Sequence, residues 1–138
     1  MSVTNQEKKA ELNQYREAEA EAARLEREIC RWRSKAEKVT TAFKMLPGGA
    51  GAGNAVEDAV LEIDELAVQL SEQRRETVRL RRKIEEAIAS VKDWKLRQLL
   101  RYRYIDGMKW EQIEAQMNYE KTQVWRLHGQ ALSTLMMG

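Results

Sequence analysis

Apolar residues recur at alternating steps of three and four along the first third of the chain. This spacing places them on one stripe of a helix over about residues 6 to 46, while Glu, Lys and Arg fill the other faces. The stripe consists of Leu12, Tyr15, Ala18, Ala22, Leu25, Ile29, Trp32, Ala36, Val39, Phe43 and Leu46. A helix this long and this polar needs a partner surface to be stable.

A glycine-rich segment, residues 47–54, interrupts this pattern and begins with the only proline of the chain. Because proline cannot continue a helix, the segment predicts a loop. A second stripe then follows, made of Val56, Val60, Ile63, Ala67, Leu70, Thr77, Leu80, Ile84, Ala87, Ile88 and Val91. The two stripes predict an antiparallel helical hairpin of coiled-coil type over residues 1–91.

Polar residues interrupt the second stripe near its middle. Gln73, Arg74 and Arg75 lie close to the expected seam, which indicates a polar layer or a local splaying of the two helices. The other basic residues of the hairpin are scattered among acidic ones, so they are expected to form a solvated face.

Three shorter helical patterns follow over residues 92–138. The first spans Trp94–Ile105 and ends at Asp106-Gly107, since glycine suits the left-handed residue that closes a helix. The second spans Trp110–Met117, and Asn118-Tyr119 supplies the turn after it. The third follows Glu120 and turns Val124, Leu127, Ala131 and Leu135 inward. The sequence therefore predicts an all-α fold, in which a long hairpin precedes a three-helix helix-turn-helix domain.

In a helix-turn-helix domain the first turns of the last helix enter the major groove of DNA. The residues expected to reach base edges are Lys121, Thr122, Gln123, Trp125 and Arg126. Arginine can bond guanine through paired donors, glutamine can pair with adenine, and threonine can touch a thymine methyl group or a phosphate. The residues expected to contact phosphates without reading sequence are Arg101, Arg103 and Lys109.

Charge and composition support this picture only in part. One third of the residues are charged, which favours long helices. Residues 1–91 carry 16 basic and 17 acidic side chains, and residues 92–138 carry 8 and 5. This basic excess is too small to establish a nucleic-acid partner by itself. The single cysteine, Cys30, excludes an internal disulfide and a cysteine-built zinc site.

Several function classes are disfavoured by what the sequence lacks. It has no apolar run long enough to span a bilayer and no signal peptide, so a cytoplasmic protein without membrane contact is expected. It contains no phosphate-cradling glycine loop, HExxH motif or Ser/His/Asp pattern, so neither enzymatic activity nor a cofactor is expected.

The carboxy-terminal segments, residues 99–113, 117–119 and 124–132, resemble region four of sigma factors. They resemble more closely the small sigma-like regulators of phages and prophages of Gram-positive bacteria, including the RinA and ArpU types. The hairpin is similar as well, with Thr40-Thr41 before Pro47-Gly48-Gly49. The resemblance implies a non-enzymatic regulator of phage genes that binds double-stranded DNA in the bacterial host cell. In one departure, Lys109 stands where such sequences commonly have a capping Ser or Thr.

Two other functions remain open from the sequence. The chain would also suit a small terminase-like subunit that recognises DNA for phage packaging, or a sigma-like module that binds RNA polymerase. The hairpin is expected to form a homo-oligomer, and contact of the hairpin with the transcription machinery remains the alternative.

Four further residues have structural interpretations. Trp110 is expected to pack against the first of the three short helices. His128 is expected either near a phosphate or on the inner face of the last helix. Gly129 is expected to permit a close helix crossing, and Trp94 is expected to be a hydrophobic anchor.

Overall fold

The computed structural model describes residues 3–45 and 53–137, and within these ranges the chain forms helices and no strand. The helices are α1 (Asn5–Lys44), α2 (Gly53–Ala89), α3 (Trp94–Leu100), α4 (Trp110–Met117) and α5 (Lys121–Thr134). A π-helical segment, Arg101–Ile105, continues α3. The prediction of an all-α chain is confirmed. Of the predicted loop, residues 47–52 lie outside the described residues, while Gly53 and Asn54 already belong to α2.

The described residues divide into two compact units. The first contains the residues up to Ala18 and those from Thr77 onward, and the second contains Glu19–Glu76. The sequence-based boundary between residues 91 and 92 lies inside the first unit.

The first unit has a core to which residues from both sides of that boundary contribute. Its buried members come from α1, α2, α3, the π-helical segment and α5, and from the residues that follow α2 and α5. They are Leu12, Tyr15, Ala18, Leu80, Ile84, Ala87, Ile88, Val91, Leu96, Leu100, Tyr104, Ala131, Leu132 and Leu135. Removal of this apolar surface from water stabilises the packing of the short helices on the two long ones.

A buried lysine joins the beginning of α1 to the end of α5. Lys8 is only 9% exposed, and its ammonium group donates a hydrogen bond of 2.7 Å to the carbonyl oxygen of Leu132. The carbonyl groups of the last helical turn lack partners within the helix and carry partial negative charge. The Lys8 side chain therefore satisfies one of them and adds a favourable charge at that end.

In the second unit part of the predicted stripe of α1 is confirmed, because Leu25 and Ile29 are buried against Leu70 of α2. Trp32, Ala36 and Val39 are half-buried, whereas Leu46 and the side chain of Phe43 lie outside the described residues.

The predicted stripe of α2 is wrong at two positions. Val60 and Ala67 are exposed, while Ala59 is buried and Leu66 packs partly buried against the cluster. Up to Leu70, the spacing between successive inward positions of α2 therefore alternates between three and four residues. A helix that contacts its neighbour along one face has this spacing.

The three polar residues predicted near the seam of α2 differ in burial. Gln73 is half-buried, whereas Arg74 and Arg75 are exposed. The guanidinium group of Arg74 forms an ion pair with the carboxylate of Glu26 on α1. Only Gln73 of the three residues therefore contributes to a polar layer in the seam.

Candidate nucleic-acid interface

A three-residue connection joins α4 to α5. Asn118 adopts the left-handed conformation, with φ 57° and ψ 46°, and ends α4. The amide of Tyr119 donates to the carbonyl of Glu114 over 3.0 Å, which closes the last turn. The helix α4 begins and ends where the sequence predicts, and α5 packs against both α3 and α4.

Each of these two helices begins with a bond from a glutamine side chain. Gln112 accepts a hydrogen bond of 2.8 Å from the amide of Lys109, and Gln123 accepts one of 3.0 Å from the amide of Glu120. This is the glutamine half of a capping box. The helix α4 therefore starts at Trp110 although Lys109 stands at the usual position of a capping Ser or Thr.

The residues predicted to read bases share one exposed face at the start of α5. The exposed residues are Lys121, Thr122, Gln123, Trp125 and Arg126. Val124 and His128 of the same helix are buried. Trp125 is 67% exposed, a large apolar surface in contact with solvent. In the described part of the chain no carboxylate forms an ion pair with Lys121 or Arg126.

One of these residues already has a role within the protein. The side-chain oxygen of Gln123 is occupied by the amide of Glu120. A two-bond contact with adenine uses both the side-chain oxygen, which accepts from the N6 amino group, and the side-chain nitrogen, which donates to N7. The capping bond takes one of the two lone pairs of the oxygen, so it restricts the orientation in which Gln123 can contact a base.

The three predicted phosphate contacts are in different environments. Arg101 and Lys109 are exposed. Arg103 is half-buried, donates a hydrogen bond of 3.0 Å to the carbonyl of Met108, and lies 4.5 Å from the centre of the Trp110 ring. Burial, followed by the charge of Arg16, lowers the pKa of Arg103 from its ordinary value. Arg103 thus has a structural contact in addition to any phosphate contact.

The interior beneath the exposed face of α5 contains a hydrogen-bonded aromatic pair. His128 is 5% exposed, and its Nε2 lies 2.7 Å from the hydroxyl of Tyr104. Burial lowers the pKa of His128 to about 4 and raises the pKa of Tyr104 to about 12. At neutral pH both groups are therefore uncharged, and the direction of their hydrogen bond follows the tautomer of the imidazole. Of the two predicted positions for His128, the structure shows the inner face.

Trp110 connects this pair to the preceding helical segment. Its ring contacts that of His128 edge to face, with 4.8 Å between the centroids, and the Arg103 guanidinium covers it. Trp110 also packs partly buried against the cluster formed by Leu99 and Ile113. The predicted packing of Trp110 on the first short helix is therefore present, together with a contact to α5.

Two structural predictions are wrong. A Cβ atom added at Gly129 would meet nothing within 4 Å outside its own helix, so this glycine does not permit a close crossing. Trp94 is 64% exposed, so it is not an anchor of the core. In both cases the residue lies on a face of its helix that no other described element covers.

Sequence reasoning missed two features of this region. The first is the π-helical turn, in which the amides of Asp106 and Met108 donate to carbonyls further back than in an α-helix, those of Arg101 and Tyr102. The second is the proximity of α1. The Nε atom of Arg16 lies 3.8 Å from the position that a Cβ of Gly107 would occupy. No signal near Arg16 in the sequence indicates this contact.

The arrangement defines an all-helical protein that presents a polar and aromatic face on a short helix. By sequence, the chain belongs to the family of proteins of unknown function DUF1492, whose profile matches residues 38–136. The match includes α2 to α5 and all the candidate site residues of those helices. No curated protein and no solved structure matches the chain. None of the described helices is both long and apolar enough to cross a membrane.

Proposed function

We propose that this protein is a sequence-specific DNA-binding regulator of transcription from phage or prophage genes. In this proposal α3, α4 and α5 act as a helix-turn-helix domain, and α1 and α2 act as an antiparallel hairpin in front of it. The observation that carries the proposal is the exposed face of α5, which Trp125 shares with Lys121, Thr122 and Arg126.

The local geometry supports a role for this face in the major groove. The short α4, the left-handed Asn118 and the following 14-residue α5 match the order and lengths of a helix-turn-helix unit. The buried Tyr104–His128 bond and the Trp110 contact fix α5 against its neighbours. A rigid support keeps the reading side chains in one geometry, which limits the entropy lost on binding.

Selection of bound duplexes from a random library tests the proposal directly. The wild-type protein is expected to enrich a defined sequence. Arg126→Ala should then weaken binding to the selected site by about 1–3 kcal/mol and weaken binding to unrelated duplexes much less. Arg27→Ala removes an exposed arginine of α1 and serves as the matched control. Enrichment of no sequence, or equal losses on both kinds of duplex, would argue against sequence reading.

The exposure of Trp125 favours a second candidate, a sigma-like module that binds RNA polymerase. Tryptophan is enriched at the centres of protein interfaces, and a side chain 67% exposed is available to fill a pocket there. Two results together would favour this function over DNA binding. The wild-type protein would associate with polymerase while Trp125→Ala would not, and the wild-type protein would fail to bind duplexes even at low salt concentration.

The hairpin is further proposed to associate with a second copy of this chain. Val60, Leu61 and Val68 of α2 are exposed apolar side chains. They lie in a segment, residues 53–69, that has five acidic and no basic residues, while residues 31–44 of α1 have five basic residues and one acidic residue. Opposite charges on the two helices suit a two-fold arrangement. Leu61→Glu should lower the oligomeric state measured by analytical ultracentrifugation, and an unchanged mass would contradict this interface.

A further inference from the structure

Two arginine side chains from distant parts of the sequence converge on the loop that precedes α4. Arg103 donates from Nη1 to the carbonyl oxygen of Met108. Arg16, on α1, approaches Gly107 in the same loop, with its Nε 3.8 Å from the position of an added Cβ. Gly107 has a φ of +70°, a backbone conformation that favours glycine, and the Arg16 guanidinium lies at ordinary contact distance from that Cβ position.

The convergence is electrostatically unfavourable in the protein alone. Arg16 and Arg103 are both half-buried, and the charge of Arg16 acts against the charge of Arg103. Glu111 acts favourably on Arg103, but in the described part of the chain neither arginine forms an ion pair with a carboxylate. Exposed Lys109 adds a third positive charge to the same loop. Like charges at short range repel, and a bound anion between them reverses the sign of the interaction.

The chemistry of the two groups selects the kind of anion. Guanidinium groups present several N–H donors in a planar fork that matches two oxygens of a phosphate. The Arg103 fork is oriented in advance, because it is stacked on Trp110 and bonded to Met108. In a helix-turn-helix protein the helix before the reading helix crosses the phosphate backbone, and this loop leads directly into that helix.

We propose that Arg16 and Arg103 together bind a backbone phosphate of duplex DNA. This inference rests on the proposed DNA-binding function and extends the interface to α1, outside the segment that the family profile matches. It also assigns Arg16 a role different from the solvated face expected for the basic residues of the hairpin. The site positions the protein on DNA and carries no sequence information.

The test measures binding of the full chain to a fluorescein-labelled duplex of mixed sequence by anisotropy over a series of salt concentrations. Arg16→Gln is expected to lower the affinity several-fold at low salt and to reduce the slope of log K against log salt by about 1. Arg16→Lys keeps the charge but not the fork, so the slope should stay at the wild-type value while the affinity falls. Arg27→Gln, with the same charge change on an exposed position of α1, should change the slope much less.

The outcomes separate this inference from the proposed function. If the wild-type protein binds no duplex at any salt concentration, the proposed function fails and the phosphate site fails with it. If the wild-type protein binds and Arg16→Gln retains its slope and affinity, only the phosphate site is refuted. Equal reductions in Arg16→Gln and Arg27→Gln would also refute it, because they would reflect net charge alone. Thermal melting of each variant by circular dichroism confirms that it is folded.

Discussion

The buried histidine is expected to make the stability of the protein sensitive to mild acid. His128 is the only histidine of the chain, and burial lowers its pKa from 6.5 to about 4. Desolvation is the largest cause, and the charges of Lys9 and Arg103 act in the same direction. In the protonated imidazole both ring nitrogens are donors, so the Tyr104 oxygen would have to accept the bond.

The sign of the effect follows from the two pKa values. As the pH falls below 6.5 the unfolded chain takes up a proton at His128, while the folded protein does so only near pH 4. The contribution of His128 to stability is therefore fully present above pH 6.5, falls as the pH decreases towards about 4, and then levels off. Because each pKa unit corresponds to about 1.4 kcal/mol, a pKa lowered from 6.5 to about 4 gives a full loss of about 3.5 kcal/mol, of which about 2 to 3 kcal/mol falls between pH 7 and pH 4.5.

Urea unfolding followed by circular dichroism at about pH 7 and about pH 4.5 measures this loss. The control is His128→Gln, which does not titrate and whose amide oxygen can accept the Tyr104 hydrogen bond. Carboxylates titrate in the same window in both proteins, so the difference between the two isolates His128. If the difference in unfolding free energy between the wild-type protein and His128→Gln were the same at both pH values, the reasoning would be refuted. NMR gives an independent check, because the lone imidazole should titrate near pH 4 and a midpoint near 6.5 would show that it is not desolvated.

Two further substitutions test the packing around α5. Gly129→Ala should raise the free energy of unfolding by about 0.5–1 kcal/mol, because alanine favours a helix and its methyl group meets nothing within 4 Å; a lower melting temperature would reveal a neighbour at that face. Lys8→Met should lower the free energy of unfolding by about 1–3 kcal/mol, because the carbonyl of Leu132 loses a buried donor. Urea unfolding measures the change in free energy, with Lys9→Met at the neighbouring position of α1 as the control. Equal effects of the two substitutions would contradict a specific role for Lys8.

The helix limits in the carboxy-terminal region were predictable because local signals determine them. Gly107 and Asn118 are the two described residues with positive φ, and both stand where the sequence indicates a helix end. The exposed and buried faces of α5 follow equally from the spacing of its apolar residues. These features depend on residues within one or two turns, so a single sequence contains the information.

The errors arose where a distant residue decides the outcome. In α2 the adjacent pairs Ala59-Val60 and Leu66-Ala67 are both apolar, and only the contact with α1 determines which member turns inward. The approach of Arg16 to Gly107 depends in the same way on packing between residues far apart in the sequence. Helical periodicity describes a single helix and does not specify its neighbours.

The hydrogen bond between Lys8 and Leu132 has a consequence for the order of folding during synthesis. The beginning of α1 leaves the ribosome long before its partners in α5 are synthesised. Leu12 and Tyr15 therefore stay unpacked until the other residues of their core have emerged. Residues 19–76 form a compact unit from one continuous stretch and can fold earlier. The nascent chain is therefore expected to fold first in its middle, and any chain released before α5 is made would expose the apolar face at the start of α1 to chaperones and proteases.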